Sequence, residues 1–272
     1  MKIKDHFLTG EVFELKETQY PGIYKTDPVP ENIASYYEST AYISHHQDSG
    51  SLKEKIYKFI QGFNLNYKRN VLVAFLPKGA QVLDYGCGAG EFLKYIESDF
   101  TTYGLEPNPE AQTAAQKKTK QTTFIHQLQE LQDESLDAIT LWHVLEHIGN
   151  QQEILNLFHS KLRKNGKLII AVPNPTSYDA IFYKEFWAAY DVPRHLYHFS
   201  KKGMEAFFDT DLWKLKTIKP LLLDSFYISM LSEKYKKSTL FWLKGAVRGA
   251  ISNFKASKSG EFSSLIYVIE KK

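Results

Sequence analysis

Between residues 80 and 172 the chain repeats one alternation: a short apolar run, a turn, then a stretch with apolar residues every three or four positions. The apolar runs fall at 81–85, 102–105, 123–125, 136–141 and 167–172, and helical spacing occupies 91–97, 109–118 and 152–162 between several of them. Strand and helix in this order predict parallel crossovers and a doubly wound α/β sheet. Upstream, Leu52, Ile56, Phe59 and Ile60 share a helical stripe. That helix is predicted to run, with a break near Gly62, towards Leu76, where Pro77-Lys78-Gly79 stops it. Downstream, 214–222 and 264–269 read as two further strands that close the sheet as an antiparallel pair, with a helical insertion at 223–260 between them. The expected architecture is a mostly parallel seven-stranded sheet with an antiparallel last strand. Residues 1–51 show no such period and are punctuated by Pro21, Pro28 and Pro30, so an irregular N-terminal extension is expected before a domain at 52–272.

Composition narrows the class. With 272 residues, 43% apolar and 24% charged, and with 18 Phe, 17 Tyr and 4 Trp, the chain can bury an ordinary globular core. A net charge of +3 gives no argument for nucleic acid. The single cysteine, Cys87, forbids an intrachain disulfide. No run reaches the roughly 18–20 apolar residues of a membrane span, and Met1-Lys2-Ile3-Lys4-Asp5-His6 lacks a signal-peptide core. A cytoplasmic protein is expected.

The strongest local signal is Val82-Leu83-Asp84-Tyr85-Gly86-Cys87-Gly88-Ala89-Gly90-Glu91-Phe92, an apolar strand running through three glycines into a helix. Glycine lets a ligand approach the backbone closely. Twenty residues after Gly86, at the end of the second strand, Glu106 can accept both hydroxyls of a ribose. Glu91 stands where a dinucleotide fingerprint has its third glycine, and an acid there opposes a pyrophosphate at the helix start. Asp84 suits a cationic ligand instead. Loop, Asp84 and Glu106 together fit a nucleoside that carries positive charge.

These stretches resemble the class I S-adenosylmethionine-dependent methyltransferases. Val82 to Gly90 matches the first motif and Gly104-Leu105-Glu106-Pro107 the second. Ser135 to Ile148 and Leu162 to Ile170 match the fourth and fifth strands with their flanking turns, so the resemblance covers roughly 70–222 and the terminal strand. It implies S-adenosylmethionine as cofactor, with Asp84, Gly86, Cys87, Gly88 and Gly90 around its methionine end and His143 beside it. Glu106 would hold the ribose, and Pro107 and the pair Gln127-Leu128 would flank the adenine. Relatives often carry an Asp after the third strand; here His126-Gln127-Leu128 leaves that contact to the Gln127 amide.

Two clusters carry candidate acceptor chemistry. His143-Val144-Leu145-Glu146-His147 follows the fourth strand, at the edge where ligands collect. It resembles the loop of quinone-biosynthesis O-methyltransferases, in which Glu-x-x-Glu-His can hold a divalent ion, with His143 in place of the first glutamate. Imidazole and carboxylate suit zinc or iron-type ions better than magnesium. The ordinary use of Glu146 and His147 is to cap or orient the loop, so no metal is expected, and these two are the candidates should one bind. The second cluster contains Trp187, Arg194, His195, His198 and Ser200. The functional reading is an acceptor pocket: Arg194 on an acidic group, His195 or His143 as general base, Trp187, His198 and Tyr37 as lining. The structural reading is a latch of core aromatics with Ser200 as a helix N-cap. Tyr36-Tyr37 and Tyr42-Ile43-Ser44-His45 suit a lid over a cation or an extension packed on the sheet.

Residues 231–260 hold seven Lys/Arg against one Glu, with Leu240, Leu243, Val247, Ile251 and Phe254 on one helical face. The ordinary expectation is that this face packs on its own domain; peripheral membrane contact through 238–258 is the alternative. The overall expectation is methyl transfer to a small or carrier-linked acceptor, with a hydroxyl favoured because histidines can take its proton. A nicotinamide-dependent oxidoreductase is disfavoured by the missing third glycine and the antiparallel last strand. A non-catalytic S-adenosylmethionine-binding module stays open. A nucleic-acid methyltransferase is disfavoured because no Asn-Pro-Pro-Tyr-type motif occurs. Oligomeric state is not legible.

Overall fold

The computed structural model describes residues 1–37 and 52–272, the side chains of 52–60 excepted. Seven strands form the main sheet: β4 (Gln81–Tyr85), β5 (Thr101–Leu105), β6 (Thr123–Phe124), β7 (Leu136–Trp142), β8 (Leu162–Pro173), β10 (Trp213–Pro220) and β11 (Ser264–Lys271), in spatial order β10-β11-β8-β7-β4-β5-β6. β11 runs antiparallel to both its neighbours, and the remaining pairs are parallel. Seven mostly parallel strands with an antiparallel last one is the sheet the alternation predicts. Strand order reverses between β4 and β7, and the crevice beyond the carboxyl ends at such a reversal is the place where open α/β sheets generally bind ligands.

Strand periodicity explains how both faces are covered. Leu83, Ile139, Leu141, Leu168, Ile170 and Tyr267 point to one side, against Leu155 and Phe158 of α4 (Gln151–Lys161) and Met204 and Phe207 of α6 (Lys201–Phe207). Their alternates Val82, Ala138, Ile169, Ala171 and Val268 point to the other. There they meet Leu72 of α1 (Leu52–Val73) and Phe92 and Ile96 of α2 (Glu91–Ile96). α1 runs without the break expected at Gly62, since one mid-helix glycine costs only about 1 kcal/mol. Glu91 pairs with Lys118 at the end of α3 (Pro109–Lys118).

Two expectations need correction. The N-terminal extension is not irregular. β1 (Lys2–Lys4), β2 (Val12–Glu17) and β3 (Ile23–Asp27) form an antiparallel meander that continues onto β9 (Tyr197–Phe199). Its strands are short and interrupted by turns, which hides the period. Ile3, Phe13 and Leu15 of this small sheet pack on Tyr183 at the end of α5 (Tyr178–Tyr183) and on Trp187, Tyr190 and Val192. Of the residues expected to form a lid, 42–45 lie outside the described residues, and Tyr36 packs edge-on against Phe13 of the small sheet.

The insertion helix is turned the other way. α7 (Asp224–Tyr235) and α8 (Phe241–Ser259) pack through the small face of α8, with Gly245, Gly249, Ser252 and Ala256 buried. A Cβ on Gly245 would lie 2.5 Å from the Met230 backbone, so only glycine permits this approach. Leu240, Leu243, Val247 and Phe254 are left exposed beside Lys244 and Lys258. Small residues win the interface because they bring two backbones together; the apolar stripe that periodicity picks out faces solvent. Among the described residues no helix is long and apolar enough to cross a membrane.

Candidate functional site

The glycine loop joins β4 to α2, with Gly86, Gly88 and Gly90 at φ of 74°, 54° and 76°. The Gly86 and Cys87 amides are bound to the Leu105 carbonyl at 2.8 and 3.1 Å, which ties the loop to the end of β5. Among the described residues nothing stands within 4 Å of where a Cβ on Gly88 would be, so this glycine borders open space. Glu106 follows β5 and accepts from the Gly88 amide at 2.8 Å and the Asn108 amide at 2.9 Å, one oxygen each. A carboxylate has about four acceptor sites, so both oxygens keep capacity for hydroxyl donors. Pro107 and Gln127 present exposed side chains beyond β5 and β6. Leu128, expected at the adenine, turns into the core under the sheet instead.

Asp84 is buried at the end of β4 and accepts from Thr140 Oγ1 at 2.6 Å. Burial raises its pKa to about 7; Thr140 and the Lys68 ammonium act to lower it, and the Glu106 carboxylate adds to the rise. Burial also pushes the Cys87 thiol up, so this residue stays a neutral neighbour of the loop.

Beyond β7 the backbone takes a strained step: His143 sits at φ 59°, its amide on the Ala171 carbonyl. His143 Nε2 lies 2.9 Å from Asp224 Oδ2 at the start of α7, and Nδ1 lies 3.4 Å from Glu146 Oε1. Burial opposes charge on this ring, yet the two carboxylates raise its pKa to about 9. A ring held as imidazolium cannot accept a proton, so His143 is placed as an orienting cation and not as a base. Asp224 carries no motif. Its signal would have been an acid opening a helix at the ligand edge, and only the turn after β10 brings it there.

Glu146 is 1% exposed, and neither of its carboxylate oxygens has a hydrogen-bond partner among the described residues. Burial alone would raise its pKa, but the surrounding His143, His195 and His147 leave it lowered. His147 Nδ1 lies 2.9 Å from the Arg194 carbonyl, a carbonyl that also accepts from Tyr37 OH at 3.3 Å. His195 Nδ1 lies 2.9 Å from the Ala189 carbonyl. The Leu196 amide donates to the Glu146 carbonyl at 2.8 Å, which stitches the two sequence-distant clusters into one wall. Burial and the neighbouring His147 lower His195 to a pKa of about 4, so its ring is neutral near pH 7.

The other expected acceptor residues are turned to structural use. Trp187 is buried and donates from Nε1 to Asp179 at 2.7 Å. Asp179 also accepts from Ser252 and Ser263, so it ties three segments together. Arg194 is 1% exposed: its guanidinium is bound to Asp191 at 2.6 Å and Asp5 at 3.1 Å and stands over the Phe7 ring. No face is left for an acidic acceptor. His198 is buried, with Nε2 3.0 Å from Thr26 Oγ1, whose hydroxyl donates to the His195 carbonyl. Ser200 caps α6, as the latch reading expects.

A family model described as a methyltransferase domain matches residues 61–210, more than half of the chain. An uncharacterized methyltransferase from Anoxybacillus flavithermus is 32% identical over 99 residues, covering 34% of this chain and 47% of that protein. A ubiquinone biosynthesis O-methyltransferase from Xanthomonas axonopodis pv. citri is 28% identical over 109 residues, covering 37% and 46%. This chain thus spans about half the length of the curated relatives it matches. Among solved structures, magnesium protoporphyrin IX methyltransferase from Synechocystis PCC 6803 with bound SAH aligns at a TM-score of 0.56 and 15% identity, covering 88% of this chain and 97% of that one, a likeness of fold. The family match, the sheet order and the loop between β4 and α2 agree, and the chain belongs to the class I S-adenosylmethionine-dependent methyltransferases.

Proposed function

We propose that this chain transfers a methyl group from S-adenosylmethionine to a hydroxyl oxygen of a small or carrier-linked acceptor. The observation that supports it is the buried Glu146 carboxylate, without a hydrogen-bond partner among the described residues, beside the rings of His147 and His195. The attacking oxygen forms its bond to the methyl carbon in line with the breaking S–C bond, whose electrons return to sulfur. Positioning supplies much of that acceleration. A hydroxyl must also release its proton as the C–O bond forms, and a carboxylate or a neutral imidazole can accept it. Asp84 would hold the cofactor's ammonium, Glu106 its ribose, and His143, clamped by Asp224, would keep Glu146 in place.

The test is transfer of labelled methyl from S-adenosylmethionine to panels of phenols, hydroxy acids and amines. Label in an ether or ester is expected. Glu146→Gln should lower kcat about 100-fold, within the usual range for proton-transfer groups, and leave S-adenosylhomocysteine affinity unchanged. Label on amines alone would overturn the hydroxyl reading. Tight S-adenosylhomocysteine binding with no transfer to any class would favour a binding module.

Asp84 makes a pH prediction. Its folded pKa is raised, so its contribution to stability is full below about pH 4 and is lost as pH rises through about 7. A cationic ligand needs the ionised form. Lys68 from α1 and Glu106 beyond β5 are the charged groups that face it, with Cys87 neutral beside it. S-adenosylhomocysteine should bind roughly tenfold more weakly at pH 6 than at pH 8, by calorimetry. The thermal shift it produces should widen over the same interval, and Asp84→Asn should flatten both. A profile that is flat in the unaltered protein would remove Asp84 from the ammonium.

A further inference from the structure

We infer that Glu146, His147 and His195 form a binding site for one divalent transition-metal ion, with Zn²⁺, Co²⁺ or Fe²⁺ as the ions its chemistry selects. One oxygen of Glu146 and one ring nitrogen of each histidine lie within 4.8 Å of one another. Ligand atoms of a tetrahedral site with bonds of about 2.1 Å stand about 3.4 Å apart, so the set closes with side-chain shifts that bring its widest pair nearer by up to about 1.4 Å.

Three independent features point to an ion and not to a chance meeting of polar groups. Both Glu146 oxygens are buried and make no hydrogen bond among the described residues; Oε1 keeps the 3.4 Å ion pair to His143 Nδ1, and Oε2 is the oxygen left to a ligand. Each histidine has Nδ1 2.9 Å from a backbone carbonyl, His147 from Arg194 and His195 from Ala189, and His147 Nδ1 also lies 3.0 Å from the Tyr37 hydroxyl; with Nδ1–H donated to the carbonyls, Nε2 keeps the lone pair. A carbonyl on the far nitrogen is the usual orientation of a metal-binding imidazole. Third, the carbonyl that holds His147 is itself fixed, because the Arg194 side chain is clamped by Asp5 and Asp191.

The ligand set differs from the one the linear motif suggests. His143 is drawn away to Asp224, and His195, 48 positions beyond His147, takes its place. Two nitrogens and one carboxylate oxygen match zinc or non-haem iron sites and suit magnesium poorly. Three protein ligands leave a position for water or a substrate oxygen, as in catalytic sites. Metal binding stands apart from methyl transfer; only the role of the ion in holding an acceptor hydroxyl rests on the hydroxyl reading above.

Calorimetric titration of the metal-stripped full chain with Zn²⁺, and Co²⁺ absorption in the visible range, test this without any acceptor. One equivalent should bind at micromolar affinity or tighter, with the intense d–d bands of a low-coordinate Co²⁺ site. Glu146→Gln, nearly isosteric, should weaken binding at least 30-fold, as should His147→Gln; both variants are checked for native circular dichroism. His126→Gln, at an exposed histidine outside the cluster, should retain binding. Failure of the unaltered protein to bind either ion, or binding that survives both ligand variants, would each overturn the triad.

Discussion

Glu106→Ala should weaken S-adenosylhomocysteine binding by about 100-fold or more while moving the thermal midpoint little. Glu106 is proposed to accept two ribose hydroxyls, and hydrogen bonds to a charged group contribute about 1.5–3 kcal/mol each. The same carboxylate takes the Gly88 and Asn108 amides, so its loss also frees the loop that borders the open space at Gly88. Neither amide is deep in the core, since Asn108 is exposed and Gly88 half-buried, and water can replace the lost acceptor. Glu106→Gln separates charge from shape: it keeps one acceptor oxygen and should fall between the two. Calorimetry at pH 8, where Asp84 is ionised, is the measurement. An affinity within threefold of the unaltered protein would remove Glu106 from the cofactor.

Arg194→Ala should act on stability first. Removing one partner of a buried ion pair typically costs about 3–5 kcal/mol, because the other charge is left without compensation. Here the stranded partner is Asp5, whose carboxylate, despite burial, is held below its ordinary pKa by the Thr9 amide and Arg194 together. For a chain of this size each kcal/mol is about 2–4 °C in thermal midpoint, so a fall of roughly 10 °C is expected. Asp5→Ala should fall by a similar amount, and the double variant by less than the sum, because the two act on one pair. An unchanged midpoint with a raised KM for acceptor would return Arg194 to the acceptor pocket. The clamp has a second consequence, since the Arg194 carbonyl orients His147.

The loop at Gly86 to Gly90, Asp84 and Glu106 could be read directly, because their chemistry is local: a turn, a helix start and an acid one strand away. The sheet was equally legible, since each apolar run faces two covered sides and each helix has one apolar stripe. The acceptor side was not. Trp187, Arg194 and His198 are residue types that serve pockets and latches alike, and only their partners Asp179, Asp5 and Thr26 decide between these uses. Asp5 and Thr26 come from the N-terminal meander, whose contacts with β9 and the turn before it are 169 to 189 positions apart, which no window of sequence contains.

On the insertion helix periodicity failed for a specific physical reason. On α8 it singled out the larger apolar side chains as the packing face, yet Gly245 and Gly249 set the distance to α7 and turned that stripe outward. By itself the sequence determined the seven-stranded sheet, the family and the loop that would receive the cofactor, because hydrophobic period and glycine spacing act over a few residues. Tertiary structure alone decided that Asp224 claims His143, that His195 stands beside Glu146 and His147, and that Arg194 is closed to ligands. Those choices are made by charges and lone pairs that meet only after the chain has folded, at distances of a few ångströms between residues far apart in sequence.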